Sequence, residues 1–401
     1  MKRKFNYNII VFVVVAVLIV FSWTSKEMLK GTKNAAKSFV KEPSLEKLIS
    51  NIDKTSKEYK FKYESVDIHS LSYLITDTRS MQKGEDVIVR MDNGYLAYDY
   101  REVSDDIIEQ TAKSCAKLND FCAGMNIPFM YIYAPQKQYF GKYPVGNENT
   151  NRSEGEKFVK ALRNNGVNTL SLAEKMIEQN MKMEDSYFIT DHHWTPETGF
   201  WAAGEICKKL NSDYGFEYDA AKNDINNYNV KVYKDWFLGS QGKKTGKFFT
   251  SLGVDDISLI IPKFETNVEI KDKRGTKTGK LEDVVYSKEK IEQKSFHNKN
   301  PYAVYSGGDF AEQTITNKNA TNNKKIVIVR DSYACAVTPF LALNVAEIRI
   351  LDIRKGMHGK ACIESVSEYI KTHNPDYAMV LYSGITAHNG GKDVAQHFVF
   401  K

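Results

Sequence analysis

Between Lys325 and Tyr382 the chain alternates short apolar runs with amphipathic stretches, and few folds accept that pattern. Lys325–Val329, Glu347–Asp352 and Tyr377–Tyr382 are rich in Ile, Val, Leu and Met, as strands buried on both faces require. Tyr333–Leu343 and Ile363–Thr372 carry apolar residues at helical spacing between them. Strand, helix, strand, helix, strand implies right-handed crossovers and a doubly wound parallel α/β sheet. The pattern begins earlier. Asp105 to Met125 places Ile107, Ile108, Ala112, Cys115, Leu118, Phe121 and Cys122 on one helical face and ends at Gly124. Ile127 to Ala134 is a continuous apolar strand stopped by Pro135, and a helix over Glu154–Asn164 ends at Asn165-Gly166. Asp86–Arg90 reads as a strand before the turn Asp92-Asn93-Gly94. Residues 211–323 interrupt the alternation. They are polar and turn-rich, with short strand candidates at Ile257–Ile261 and Val268–Ile270, and read as an insertion of β and loop structure.

At the other end, Lys2, Arg3 and Lys4 precede the apolar run Ile9–Phe21. The stretch Phe5 to Trp23 spans about 19 residues, close to the ~20 that cross a bilayer. Bulky Trp23 occupies the place where a cleavage site needs small residues, which favours an uncleaved anchor over a cleaved signal peptide. A basic flank before the span sends the rest of the chain outward. The expected organisation is an anchor at 1–24, a Lys-, Glu- and Ser-rich stalk at 25–66 and a catalytic domain at 67–401. The expected location is the cell membrane, single-pass, with the domain extracytoplasmic. The net charge of +6, from 56 basic and 50 acidic residues, forms no compact basic stripe with interleaved aromatics, so nucleic acid is not an expected partner. Five cysteines without CxxC spacing read mainly as small buried hydrophobes, with a Cys115–Cys122 bridge left open.

Two local patterns carry chemistry. In Thr190-Asp191-His192-His193-Trp194-Thr195-Pro196, Thr195 and Pro196 suit the cap and first turn of a helix, so the acid and both imidazoles lie on the turn entering it. A carboxylate two residues before an imidazole can orient the ring and stabilise its cation. In Lys325–Val329-Arg330-Asp331-Ser332-Tyr333, a buried strand ends at a serine that opens a helix. That places a hydroxyl at the carboxyl edge of the sheet and directs the first helical amides, those of Tyr333 and Ala334, at a developing oxyanion. By itself Ser332 reads more simply as an N-cap. A metal site on Asp191, His192, His193 and Asp331 is the rival reading, but no H-x-x-x-H or further carboxylate-rich motif supports it.

Taken together, these patterns resemble the DHHW protein family and, more distantly, the alginate O-acetyltransferases of SGNH-hydrolase-like fold. The resemblance runs from about Asp86 to the C-terminus. It rests on Asp191-His192-His193-Trp194, on Phe237-Leu238-Gly239-Ser240-Gln241-Gly242, on Ile261-Pro262-Lys263-Phe264, and on Asp331-Ser332-Tyr333 with Pro339-Phe340-Leu341. Carried over by position, it implies Asp191 as orienting acid, His193 as base and Ser332 as nucleophile, with His192 at a variable place. Trp194, Tyr333, Lys137, Gly239 and Ser240 are the candidate substrate contacts; the Ser332 and Tyr333 amides, or Gly239 and Ser240, are the candidate oxyanion donors. The implied activity is O-acyl transfer, acetyl to a surface polysaccharide, through an acyl-serine and without cofactor or metal. A multi-spanning membrane acyltransferase is the implied donor partner. A carbohydrate esterase or deacetylase, or a non-catalytic glycan-binding protein, are the alternatives.

Overall fold

The computed structural model describes residues 62–384 apart from 101 and 145–149. The expected anchor and most of the stalk lie outside the described residues, and among those described no helix is long and apolar enough to cross a membrane. The stalk was expected to run to residue 66 with strands beginning at 67. Instead a helix, α1 (Lys62–Ile75), crosses that boundary and buries Asp67 and Ser70 against the body. A three-stranded sheet follows: β1 (Ser80–Lys83), β2 (Asp86–Arg90) and β3 (Leu96–Tyr98).

Most of the longer remaining elements build a central sheet with helices on both faces, while two strands pair as a separate two-stranded sheet. In chain order they are α2 (Asp105–Gly124), β4 (Phe129–Ala134), α3 (Asn151–Asn164), β5 (Thr169–Ser171), α4 (Leu172–Glu178) and α5 (Pro196–Tyr214). Then come β6 (Tyr228–Phe237), α6 (Ser240–Thr245), β7 (Asp255–Pro262), β8 (Val268–Asp272), β9 (Gly275–Gly279) and β10 (Glu312–Asn317). The chain closes with β11 (Lys325–Arg330), α7 (Thr338–Ala342), β12 (Glu347–Leu351), α8 (Val366–His373) and β13 (Tyr377–Ser383). The central sheet has the order β5-β4-β13-β11-β12-β10-β8-β9. Its first five strands are parallel. Alternation along them divides the core: Phe129, Tyr131, Tyr133, Val327 and Val329 pack toward α2, α3 and α8, whereas Met130, Ile132, Ile326 and Ile328 pack toward α5 and α7.

Two expectations change here. The sheet is mixed, because β10, β8 and β9 continue it in antiparallel pairing. Three strands of the region read as an insertion therefore belong to the central sheet, and two more, β6 and β7, pair with each other. Of these, β8 and β10 bury alternate residues, such as Val268, Ile270 and Ile315, and lack the continuous apolar runs of β4 and β11. Second, the stretch expected as one helix over Tyr333–Leu343 is a 3-10 turn, Ser332–Ala336, followed by the short α7. Pro339 has no amide to continue a helix from Cys335, so the backbone restarts there. The five cysteines are free.

Candidate active site

The parallel strands end level with one another, with Ala134 opposite Ser383 and Arg330 opposite Leu381. The residue after β11, Asp331, fastens this edge. One carboxylate oxygen accepts the Tyr333 amide (2.9 Å), and the other accepts the amide (2.7 Å) and hydroxyl (2.6 Å) of Ser383 on β13. The turn that follows presents Ser332 above the sheet edge. Arg330 supports it from below: it is fully buried, donates to the Asp331 carbonyl (3.4 Å), and is paired with Asp309 and more distantly with Asp352 (3.6 Å).

The acid and base arrive on a different loop. Tyr187 and Trp194 bridge as a short antiparallel pair, and the Phe188 amide donates to the His193 carbonyl (3.3 Å), so residues between them form a tight excursion. The Thr195 hydroxyl then accepts the Thr198 amide (3.3 Å) with Pro196 in the first turn, and α5 begins as the sequence predicts. On the excursion, Asp191 Oδ1 accepts from His193 Nδ1 at 2.6 Å and from the His193 amide at 3.1 Å. His193 Nε2 lies 2.8 Å from Ser332 Oγ. An ionised carboxylate only accepts, so Nδ1 carries the proton and Nε2 is left to accept from the serine hydroxyl. The structure brings Asp191, His193 and Ser332 into one hydrogen-bonded line from three expected positions.

Electrostatics fit that line. Burial opposes charge on Asp191, but the His192 and His193 rings and the Ser240 amide (2.6 Å to Oδ2) outweigh it and hold the carboxyl well below its usual range. The three ligand atoms of Asp191, His192 and His193 lie within 4.8 Å of one another, as an ion would need. Both ring nitrogens of His193 are nevertheless engaged by Asp191 and Ser332. His192 sits beside the triad, its ring 3.8 Å from that of His193, with Nδ1 2.9 Å from Ser240 Oγ and its side chain 27% exposed.

Three of the expected substrate contacts, Trp194, Tyr333 and Lys137, are buried and bonded to the protein's own backbone. Trp194 is fully buried and donates from Nε1 to the Tyr333 carbonyl (3.1 Å), tying the base loop to the nucleophile turn. Tyr333 is equally buried, and its hydroxyl donates to the His192 carbonyl. Lys137 points inward, its ammonium on the carbonyls of Phe188, Ile189 and Asp191. The oxyanion donors are corrected too. Asp331 occupies the Tyr333 amide and, through its carbonyl, the Ala334 amide (3.2 Å). Gly239 N donates to Thr190 Oγ1 (2.8 Å) and Ser240 N to Asp191. A 3-10 turn capped by an Asx bond consumes its own first amides, which leaves Ser332 N from the candidate set. Sequence reading missed Tyr302, whose ring stacks on His193 (4.1 Å between centroids, 18° between planes) and whose hydroxyl donates to the Tyr333 carbonyl (3.2 Å). It lies in the loop-like region and belongs to no pattern, so only the fold reveals it. Asp255, buried beneath the excursion, was missed for the same reason.

Residues 95–228 match the family model of the SGNH hydrolase-like domain, acetyltransferase AlgX, a segment that contains Asp191 and His193 but not Ser332. Among solved structures, Bacillus cereus PatB1 with a sulfonyl adduct is 23% identical, with a TM-score of 0.62 over 80% of this chain and 100% of that one. A DHHW family protein from Eubacterium siraeum is 18% identical, with a TM-score of 0.56 over 79% and 96%. The O-acetyltransferase domain of Pseudomonas putida AlgJ is 12% identical, with a TM-score of 0.44 over 78% and 93%. No curated protein matches the sequence. The chain therefore has the mixed α/β SGNH-hydrolase-like fold and is similar, across the segment that carries Asp191 and His193, to the AlgX-type acetyltransferase domain.

Proposed function

We propose that the protein is an extracytoplasmic, membrane-anchored O-acyltransferase that acetylates a hydroxyl of a surface polysaccharide through an acyl-serine. The observation that carries the reading is the unbroken line Asp191–His193–Ser332, at 2.6 and 2.8 Å. In the first step Ser332 Oγ attacks the acyl carbonyl and its proton passes to His193 Nε2. The imidazolium is held by Asp191, and the donor's leaving group departs with that proton. In the second step His193 takes the proton of an acceptor hydroxyl, which attacks the acyl-serine and frees Ser332. Ser332 N supplies an oxyanion contact. The donor is an acylated membrane partner, a multi-spanning acyltransferase, since an acyl thioester of the cytoplasm does not reach this side. Water in place of the sugar makes the same triad an esterase, and the ratio of acetylated glycan to free acetate separates the two.

The test uses a sulfonyl fluoride, whose sulfur is attacked by an activated serine with loss of fluoride. Phenylmethanesulfonyl fluoride is expected to add one sulfonyl group at Ser332, located by peptide mass spectrometry, and Ser332→Ala is expected to lose the label. In the native cell, Ser332→Ala should lower the O-acetyl content of a surface polymer. A stably expressed variant with unchanged acetylation would overturn the transferase reading.

A further inference from the structure

Two buried charges grip the segment that carries the triad acid, and acyl transfer uses neither of them. Lys137, on the turn after β4, donates from Nζ to the carbonyls of Phe188 (2.9 Å), Ile189 (3.2 Å) and Asp191 (2.6 Å). Asp255, the first residue of β7, accepts the amides of Ile189 and Thr190 (the latter at 2.9 Å) and the Thr190 hydroxyl. The cation takes carbonyls and the anion takes amides, all on residues 188–191. Both side chains are buried, Lys137 completely.

This segment is a run of bends that belongs to no sheet. Leu96 N reaches the Ile189 carbonyl (2.8 Å) and Gly242 N the Thr190 carbonyl (2.9 Å). Without Lys137 and Asp255 the Phe188 and Asp191 carbonyls and the Ile189 and Thr190 amides would be orphaned inside the protein, at about 1–3 kcal/mol each. An ammonium has three donors and a carboxylate several lone pairs, so one of each satisfies six groups and offsets the other's charge. A buried pair is a poor way to gain stability, because packed apolar residues of like volume often do better. What the pair supplies is placement: the Asp191 carbonyl is fixed at 2.6 Å from Lys137 Nζ, and the direction of the Asp191 side chain follows from that backbone.

We propose that Lys137 and Asp255 are positioning residues, a clamp on the main chain of Phe188–Asp191 that sets the Asp191 carboxylate against His193 Nδ1. The proposal rests on the triad as the reacting centre. It assigns Lys137 a role through Asp191 rather than through substrate. A displacement of about 1 Å at a reacting group costs on the order of a hundredfold in rate, so loosening the clamp is felt at Ser332 without any contact to it.

The experiment uses the full chain with Lys137→Met and Asp255→Asn, each checked for fold by circular dichroism. One readout is the downfield proton resonance of the His193 Nδ1–H bonded to Asp191; the other is the rate of Ser332 labelling by phenylmethanesulfonyl fluoride per folded molecule. Folded variants should lose or shift the resonance and label at least about tenfold more slowly. A folded variant with the native resonance and native rate overturns the clamp. So does loss of fold in both variants, which makes the pair a stability element. If the native protein itself does not label, the proposed function fails, while the resonance still decides the clamp.

Discussion

His193 and His192 are neighbours in sequence and both lie near Asp191, but only His193 joins it to Ser332. His193 holds Asp191 on one nitrogen and Ser332 on the other, whereas His192 holds the Ser240 hydroxyl and keeps part of its ring in solvent. His193→Ala is therefore expected to slow sulfonylation of Ser332 by about 10²–10⁴-fold, and His192→Ala by less than about tenfold. Labelling rates followed by intact mass check this, and an equal loss in both variants would move the base to His192. Asp191 gives a second prediction at this scale. Its carboxyl is held well below the usual value of 3.8 in the folded chain, so it binds fewer protons there than in the unfolded chain. The stabilisation is complete above that value and is lost as pH falls toward the depressed one. Urea unfolding should show native protein and Asp191→Asn separated most at pH 7 and less at pH 3. A gap that widens on acidification would contradict the ionised, hydrogen-bonded acid.

Between elements, glycines decide whether the triad can close. Gly199 on α5 packs on the turn after Ser332, where a β-carbon would meet Ala336 O at 2.5 Å and Ala336 Cβ at 2.7 Å. Gly239 lies against Asp191, where a β-carbon would fall 2.2 Å from Asp191 Cβ and 2.4 Å from its Cα. Both approaches involve backbone that has no side chain to swing aside. Gly199→Ala should push α5 off the nucleophile turn and part His193 from Ser332; Gly239→Ala should displace α6 and its Ser240 amide from Asp191. Each is expected to cost roughly 1–3 kcal/mol or more and to slow labelling of the molecules still folded, read from denaturant midpoints and labelling rates together. Native rates in folded Gly199→Ala would mean the two elements are not rigidly coupled. The glycines also mark the limit of what the sequence discloses. β4, β11 and β13 were legible because each is a nearly continuous apolar run, and the line from Asp191 to Ser332 because acid, base and serine stand on turns beside helix starts. The sequence marks Lys137, Trp194 and Tyr333 as lying near the site but not the direction of their side chains, since a side chain at a sheet edge can point either way. Tyr302 and Asp255 stayed hidden because they reach the site only through long-range packing across a region with weak local pattern.

Across the whole molecule, the site is tied to its first described helix. Asp67 on α1 accepts the Lys247 amide (2.9 Å), and Ser70 Oγ accepts the Phe248 amide (3.2 Å) while donating to the Asp67 carbonyl (2.6 Å). Gly246, with φ +93°, admits this approach: a β-carbon there would meet Val66 O and Ser70 Oγ at 2.7 Å. Tyr73 closes the contact edge-on against Phe249 (5.7 Å). These residues follow directly on α6, whose first residue, Ser240, holds Asp191 and faces His192. The chain of contacts runs from α1 through the end of α6 to the triad acid. A chain beginning at residue 79 would leave the Lys247 and Phe248 amides and the Phe249 ring without these partners. Two or three lost hydrogen bonds of about 1 kcal/mol each, with the apolar contact, should lower Tm by roughly 5 °C or more. Relative to a chain beginning at residue 62, labelling of Ser332 should slow severalfold as Ser240 loosens its hold on Asp191. Asp67→Ala in the longer chain should move both quantities the same way by a smaller amount. A chain from residue 79 with unchanged Tm and labelling rate would show that α1 rests on the domain without holding it. A fall in Tm alone would confine its effect to stability and break the proposed link to Asp191.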